Sequence, residues 1–318
     1  MALMLSICFC MMPCQVFAAS TADAVEFIET DRDCTLSITY VCDETALACM
    51  DIKLYKVADI SADFVYTLTH GFESYDLSLN GVQAAAEWDV IRSTIEAYIL
   101  ADSIEADAVV TTDEDGKADF SQLKPGLYFV PELTVTRDDA KYRFDSALIA
   151  LPGIYEDGHW QYEQEVVAKS EMIPPVDSDD ETELKVLKLW SGDEGKTTRP
   201  KSIRVEIFRD GVSDHSVTLS DDNNWSYSWT VPEDGAKWTV IERNIPTGYT
   251  MTVEERKTTF VLTNTFVPDN PDSPDNPRPP QTGDTSNVLV YIILLNAAGI
   301  MLITLGFTGK RKKDEKSE

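Results

Sequence analysis

A lysine, a glutamate and an asparagine each stand where an apolar side chain belongs in the C-terminal half of this 318-residue chain. Lys188 lies in phase with Leu184, Val186 and Trp190; Glu242 is in phase with Trp238 and Val240; Asn264 is in phase with Phe260, Leu262 and Phe266. Strand side chains alternate faces with period two, so all three polar residues carry the parity of buried neighbours. A buried, unpartnered amine, carboxylate or amide is costly, which argues that the three meet in one core. Desolvation there favours the neutral amine of Lys188 and the protonated acid of Glu242, so the amine becomes a nucleophile and the acid can polarise the Asn264 amide. Attack on the amide with loss of ammonia would leave a lysine to asparagine isopeptide, a single-turnover reaction driven mainly by proximity. The same residues would also satisfy one another as a buried ion pair with a hydrogen-bonded amide, and spacing alone does not choose.

The elements that must position them are short strands. Turn signals recur at Ser191-Gly192-Asp193, Arg209-Asp210-Gly211, Asp221 to Asn224, Glu233-Asp234-Gly235 and Thr247-Gly248, a rhythm that predicts a β-sandwich over 182–267. A proline and acid segment over 173–181 reads as a linker to an N-terminal domain over 20–172. That first domain mixes strands with one helix: Trp88, Ile91, Ile95 and Ile99 recur at helical spacing within Val82 to Leu100, as in an amphipathic helix covering a core.

Several stretches of the second domain carry a resemblance. Leu187-Lys188-Leu189-Trp190, Arg199-Pro200-Lys201-Ser202-Ile203, Asn223 to Tyr227, Trp238 to Glu242 with Ile245-Pro246-Thr247-Gly248-Tyr249, and Leu262-Thr263-Asn264-Thr265 resemble a collagen-adhesin B-type (Cna B) domain. Glu242 to Tyr249 is similar to the E-box of Gram-positive pilins. The resemblance implies an isopeptide between Lys188 and Asn264 with Glu242 as its catalyst. By analogy with disulfide loop closure, such a link would stabilise by roughly 4 to 5 kcal/mol.

The first domain resembles the N-terminal domain of the same pilins through Ile52 to Val57, Thr112 to Phe120 and Leu123 to Glu132. Both domains are therefore expected to be immunoglobulin-like or prealbumin-like sandwiches, the first with an inserted helix, in a mainly β chain. Glu132 takes the E-box position, but the strand from Asp33 to Asp43 offers no lysine and the last strand no asparagine, so no equivalent bond is expected. Trp160 to Lys169 is similar to the pilin motif WxxxVxVYPK: Trp160, Val166 and Lys169 match, whereas Gln164, Val167 and Ala168 do not. The match implies that Lys169 is the amine that accepts the sortase-bound threonine of another subunit; the bland alternative is a solvated surface lysine.

The chain ends read as processing signals. Residues 1–19 are apolar and finish on small residues, as a signal peptide does, although no basic residue precedes the apolar run. A Pro/Asp-rich spacer spans 268–278, and residues 279–318 hold Pro279-Pro280-Gln281-Thr282-Gly283, an apolar stretch long enough to span a bilayer, and Lys310-Arg311-Lys312-Lys313. This three-part tail resembles the LPXTG sorting signal, with Pro279 in place of leucine. It implies cleavage by a sortase between Thr282 and Gly283 and transfer of Thr282 to an amine of peptidoglycan or of another subunit. The expected location is the cell wall of a Gram-positive bacterium, with the precursor membrane-spanning at its C-terminus.

A net charge of −28 argues against nucleic acid as a partner. Of six cysteines, three fall in the signal segment, leaving Cys34, Cys42 and Cys49. Cys42 and Cys49 flank a turn-like segment and could form a disulfide in an oxidising exterior. Neither they nor the three scattered histidines have the spacing of a metal site, and no cofactor is expected. No nucleophile elbow or metalloprotease motif is present, so the chain is not expected to turn over an external substrate. The functional expectation is a sortase-processed structural surface protein, a pilus subunit. The alternative is a non-polymerising wall-anchored adhesin whose first domain binds a host or glycan ligand.

Overall fold

The computed structural model describes residues 27–267, apart from 43–44, 70, 76, 83, 138–139, 156–158, 174–179 and 195–198. The segments expected over 1–19, 268–278 and 279–318, with Pro279, Pro280, Gln281, Thr282 and Gly283, lie outside these residues, as does most of the linker.

Alternating apolar residues and turn punctuation produce a mainly β molecule with one α-helix among the described residues. The first domain runs through β1 (Cys34–Thr39), β2 (Val41–Cys42), β3 (Thr45–Ala46), β4 (Asp51–Ile60), β5 (Tyr66–Leu68), helix α1 (Ala85–Asp102), β6 (Ala108–Thr111), β7 (Lys117–Leu123) and β8 (Gly126–Val130). It continues with β9 (Leu133–Arg137), β10 (Ala140–Phe144), β11 (Ala147–Leu151), β12 (Gly153–Ile154), β13 (Trp160–Gln161), β14 (Glu163–Val167) and β15 (Ser170–Ile173). Strand orders are β14-β1-β7, β15-β10-β9 and β11-β8-β4-β5, with β6 also on β4. Every residue of β8 is buried, as befits a strand covered on both faces. Gly116 turns the chain from Asp113 into β7 at φ 74, where an added Cβ would strike the Tyr40 carbonyl.

The second domain comprises β16 (Glu181–Ser191), β17 (Ser202–Arg209), β18 (Val212–Ser220), β19 (Ser226–Pro232), β20 (Trp238–Arg243), β21 (Tyr249–Arg256) and β22 (Thr259–Phe266). Sheets β19-β16-β22-β21 and β18-β17-β20 share one core, to which β16 gives Val186, β17 Val205 and Ile207, β20 Val240, and β22 Leu262. This is the sandwich that the turn spacing predicts.

Two boundaries differ from the expectation. β15 pairs with β10 through Ile173, so the first domain reaches into the predicted linker, and β16 already begins at Glu181. The helix begins and ends later than the periodicity suggested. Its N-terminus is fixed by the Glu87 carboxylate, which accepts the Ala84 N–H, and its end by Ser103 in the left-handed region at φ 50.

The helix also has two buried faces. Ile91, Ile95 and Ile99 pack in the first domain's core against Tyr55, Val57 and Phe129, as expected. Ala97 and Tyr98 instead belong to the core of the second sandwich. The reading of α1 as a cover for its own domain is thus half of what it does.

Candidate functional site

Three strands of the second domain bring Lys188, Glu242 and Asn264 together. β16 runs parallel to β22, with Lys188 opposite Leu262 and Trp190 opposite Asn264, so the lysine and the asparagine sit on one face, one pleat repeat apart. Glu242 comes from β20 in the facing sheet. All three are buried, Asn264 at 0 % exposure. Lys188 Nζ stands 3.0 Å from Glu242 Oε2, and Asn264 Nδ2 donates to Glu242 Oε1 at 3.0 Å. Lys188 Nζ also lies 3.4 Å from the carbonyl oxygen of Leu262, the residue two before the asparagine.

Burial works against the charged form of both groups. Burial outweighs the attraction of Glu242 and pulls Lys188 down to about 8, while burial pushes Glu242 above the ordinary carboxylate range. Both shifts narrow the gap in proton affinity between amine and acid, which makes the form with a neutral amine beside a proton donor more accessible than it is in water. One detail refines the sequence expectation: Glu242 touches the amide nitrogen of Asn264, and the amide oxygen Oδ1 has no hydrogen-bond partner. The acid is therefore placed against the group that would leave.

An aromatic and ionic shell closes this site. The Trp190 ring lies 4.8 Å from Lys188 Nζ and meets Trp225 and Tyr249 edge-on. Beyond it, Arg199 clasps the buried Asp193 with two bonds of 2.5 Å, and Tyr249 donates its hydroxyl to the same carboxylate at 2.8 Å. Arg199 holds the Asp193 carboxyl down to about 2. Arg199 and Tyr249 stand inside stretches that carry the Cna B resemblance and Asp193 inside a turn signal, but nothing in spacing showed that they meet.

Other predicted residues fall elsewhere. Lys169 lies between β14 and β15, with its side chain 62 % exposed and Nζ 3.5 Å from Asp145 Oδ2. Glu132 has a partner from the other domain: Lys237 Nζ lies 2.9 Å from it and 2.7 Å from Glu96. The Cys42 to Cys49 disulfide is not formed. Cys42 faces the core, whereas Cys49 points outward at φ 61 with its N–H bound to the Thr112 carbonyl. Cys34 is buried as well, and burial pushes its thiol up to about 11.

A stretch of 99 residues is 32 % identical to the collagen adhesin of Staphylococcus aureus, an alignment that takes 28 % of this chain and 8 % of that protein. The chain thus spans less than a tenth of that relative's length. Structural comparison aligns a single B repeat unit of the collagen binding surface protein of Staphylococcus aureus at 14 % identity and TM-score 0.27, over 74 % of this chain and 99 % of that one. The major pilin SpaD of Corynebacterium diphtheriae aligns at 12 % identity and TM-score 0.27, over 75 % and 98 %. The fimbrial protein FimP from Actonomyces oris aligns at 14 % identity and TM-score 0.29, over 80 % and 66 %. Residues 184–265, from the strand that carries Lys188 to the strand that carries Asn264, match the family model of the Cna protein B-type domain, and the second domain belongs to that family.

Proposed function

We propose that this chain is a structural protein of a Gram-positive cell surface, a pilus subunit processed by sortase, whose second domain locks itself with an isopeptide between Lys188 and Asn264. The observation that carries the reading is a buried lysine and a buried amide, each 3.0 Å from the same buried acid, in a Cna B-type domain. In the reaction, neutral Lys188 Nζ attacks Asn264 Cγ while protonated Glu242 gives its proton to Nδ2. The Cγ–Nδ2 bond breaks, ammonia leaves, and the carboxylate so formed takes up the proton that Nζ sheds. Glu242 ends as it began, so the step balances without a cofactor.

The acceptor role of Lys169 is supported by its exposed side chain between β14 and β15, near the end of the first domain. Thr282, cleaved from Gly283, would then join Lys169 of the next copy or peptidoglycan. A head-to-tail contact of this kind is open-ended, as a fibre requires.

Intact mass of the ectodomain tests the cross-link. The wild type should lack one ammonia, and Lys188→Ala, Glu242→Gln and Asn264→Ala should each keep full mass; a full-mass wild type would sink the reading. For polymerisation, wall protein released by muramidase should run as a high-mass ladder that Lys169→Arg abolishes. A single band near monomer mass in both strains would favour the non-polymerising adhesin.

A further inference from the structure

The second sandwich has an open side where the edge strands of its two sheets, β21 and β20, lie next to each other. A side chain network from α1 of the first domain fills it. Thr94, fully buried, accepts the Val253 N–H at 2.9 Å; its own proton goes to the Val90 carbonyl at 2.7 Å. Tyr98 donates its hydroxyl to the Met251 carbonyl at 3.0 Å. These backbone groups are on the free edge of β21, and the helix supplies the partners that a further strand would have given. At its C-terminal end, Asp102 accepts a bond from Arg243, the last residue of β20, at 3.2 Å.

The register carries these contacts to the reacting groups. Met251 pairs with Asn264 and Val253 with Leu262, and Leu262 is opposite Lys188. Arg243 directly follows Glu242. One helix thus ties the strand beside the acceptor amide and the strand that holds the acid.

We propose that α1 is a positioning element for the cross-linking reaction of the neighbouring domain, with Thr94 and Tyr98 as its positioning residues. The proposal rests on the reading of Lys188, Glu242 and Asn264 as a cross-linking site. Covalent closure of the second domain then follows the docking of the first, and the bond reports that the two domains have assembled. Small displacements of reacting groups are enough to matter, since a misplacement of about 1 Å can slow an intramolecular reaction roughly 100-fold.

The test uses the two-domain chain, recovered unfolded and uncross-linked from inclusion bodies and refolded. Ammonia loss is followed by intact mass after folding, under conditions where each variant is fully folded. Thr94→Val and Tyr98→Phe should each slow amide formation by about 10- to 100-fold. Thr94→Ser, which keeps the hydroxyl, should react like wild type. Asp102→Asn, on the exposed end of the helix, weakens the bonds that Asp102 accepts from Arg243 and from Tyr75 and should also slow the reaction. Hydrogen exchange at the Val253 amide monitors the Thr94 bond. Wild-type rates in Thr94→Val despite lost Val253 protection would overturn the proposal while leaving the cross-link standing, as would a Thr94→Ser variant as slow as Thr94→Val. A wild type that loses no ammonia would instead remove the reading beneath it.

Discussion

At the residue scale, the proposed cross-linking depends on one proton shared by two groups. The reactive form, neutral Lys188 beside protonated Glu242, holds the same number of protons as the ion pair. Its share is therefore constant while the pair keeps a single proton. Above about pH 8, where Lys188 is held by burial, that last proton is lost and the acid can no longer supply ammonia's proton. At low pH the pair takes a second proton and the amine is no longer nucleophilic. Refolding the uncross-linked chain across pH should accordingly give a bell-shaped rate of ammonia loss with its alkaline limb near pH 8; a rate still climbing well beyond that pH would contradict this proton inventory.

At the element scale, the Asp193 clasp joins the turn after β16 to Arg199 and to Tyr249 at the start of β21. Replacing Asp193 by Asn removes a charge-assisted acceptor and should cost about 2 kcal/mol in chemical denaturation. The sign of its pH dependence follows from the carboxyl, which drops from 3.8 to about 2 on folding. A depressed carboxylate contributes stability above its unfolded value and loses it as pH falls through its folded one. The difference between wild type and Asp193→Asn should therefore shrink between about pH 4 and pH 2, and a difference constant over that window would rule out the clasp as its source. The helix teaches a separate lesson about elements. Its Ile91, Ile95 and Ile99 stripe was legible as a helical period, but Thr94, Ala97 and Tyr98 look like an ordinary polar and small face until a second domain is brought against it.

For the whole molecule, the domain junction is held by polar groups as well as by α1. Lys237, just before β20, reaches Glu96 on α1 and Glu132 after β8, and burial is the main reason that Glu132 and nearby Glu255 lie above the ordinary carboxylate range. Lys237→Met would leave these carboxylates without their cation and should destabilise by about 3 kcal/mol. Thermal unfolding of the two-domain chain should then split into separate transitions; one transition at an unchanged midpoint would show that the cluster does not hold the domains together. Lys237 contrasts with Lys188: two carboxylates outweigh burial at Lys237 and hold it above its ordinary value, whereas one carboxylate does not at Lys188. The first lysine is thus a charged latch, and the second has the weaker hold on its proton that the proposed cross-link requires. The sequence by itself determined the strand rhythm of the second domain and the inward parity of Lys188, Glu242 and Asn264, because strand alternation is a local property of the backbone. Only the tertiary structure decided that Glu242 faces the amide nitrogen, that Cys42 and Cys49 point apart, and that Glu132 and Lys237 pair across the domains. It also decided that Thr94 serves a strand 159 residues away, since side-chain partners at such separation are chosen by how the sheets pack, which no local period encodes.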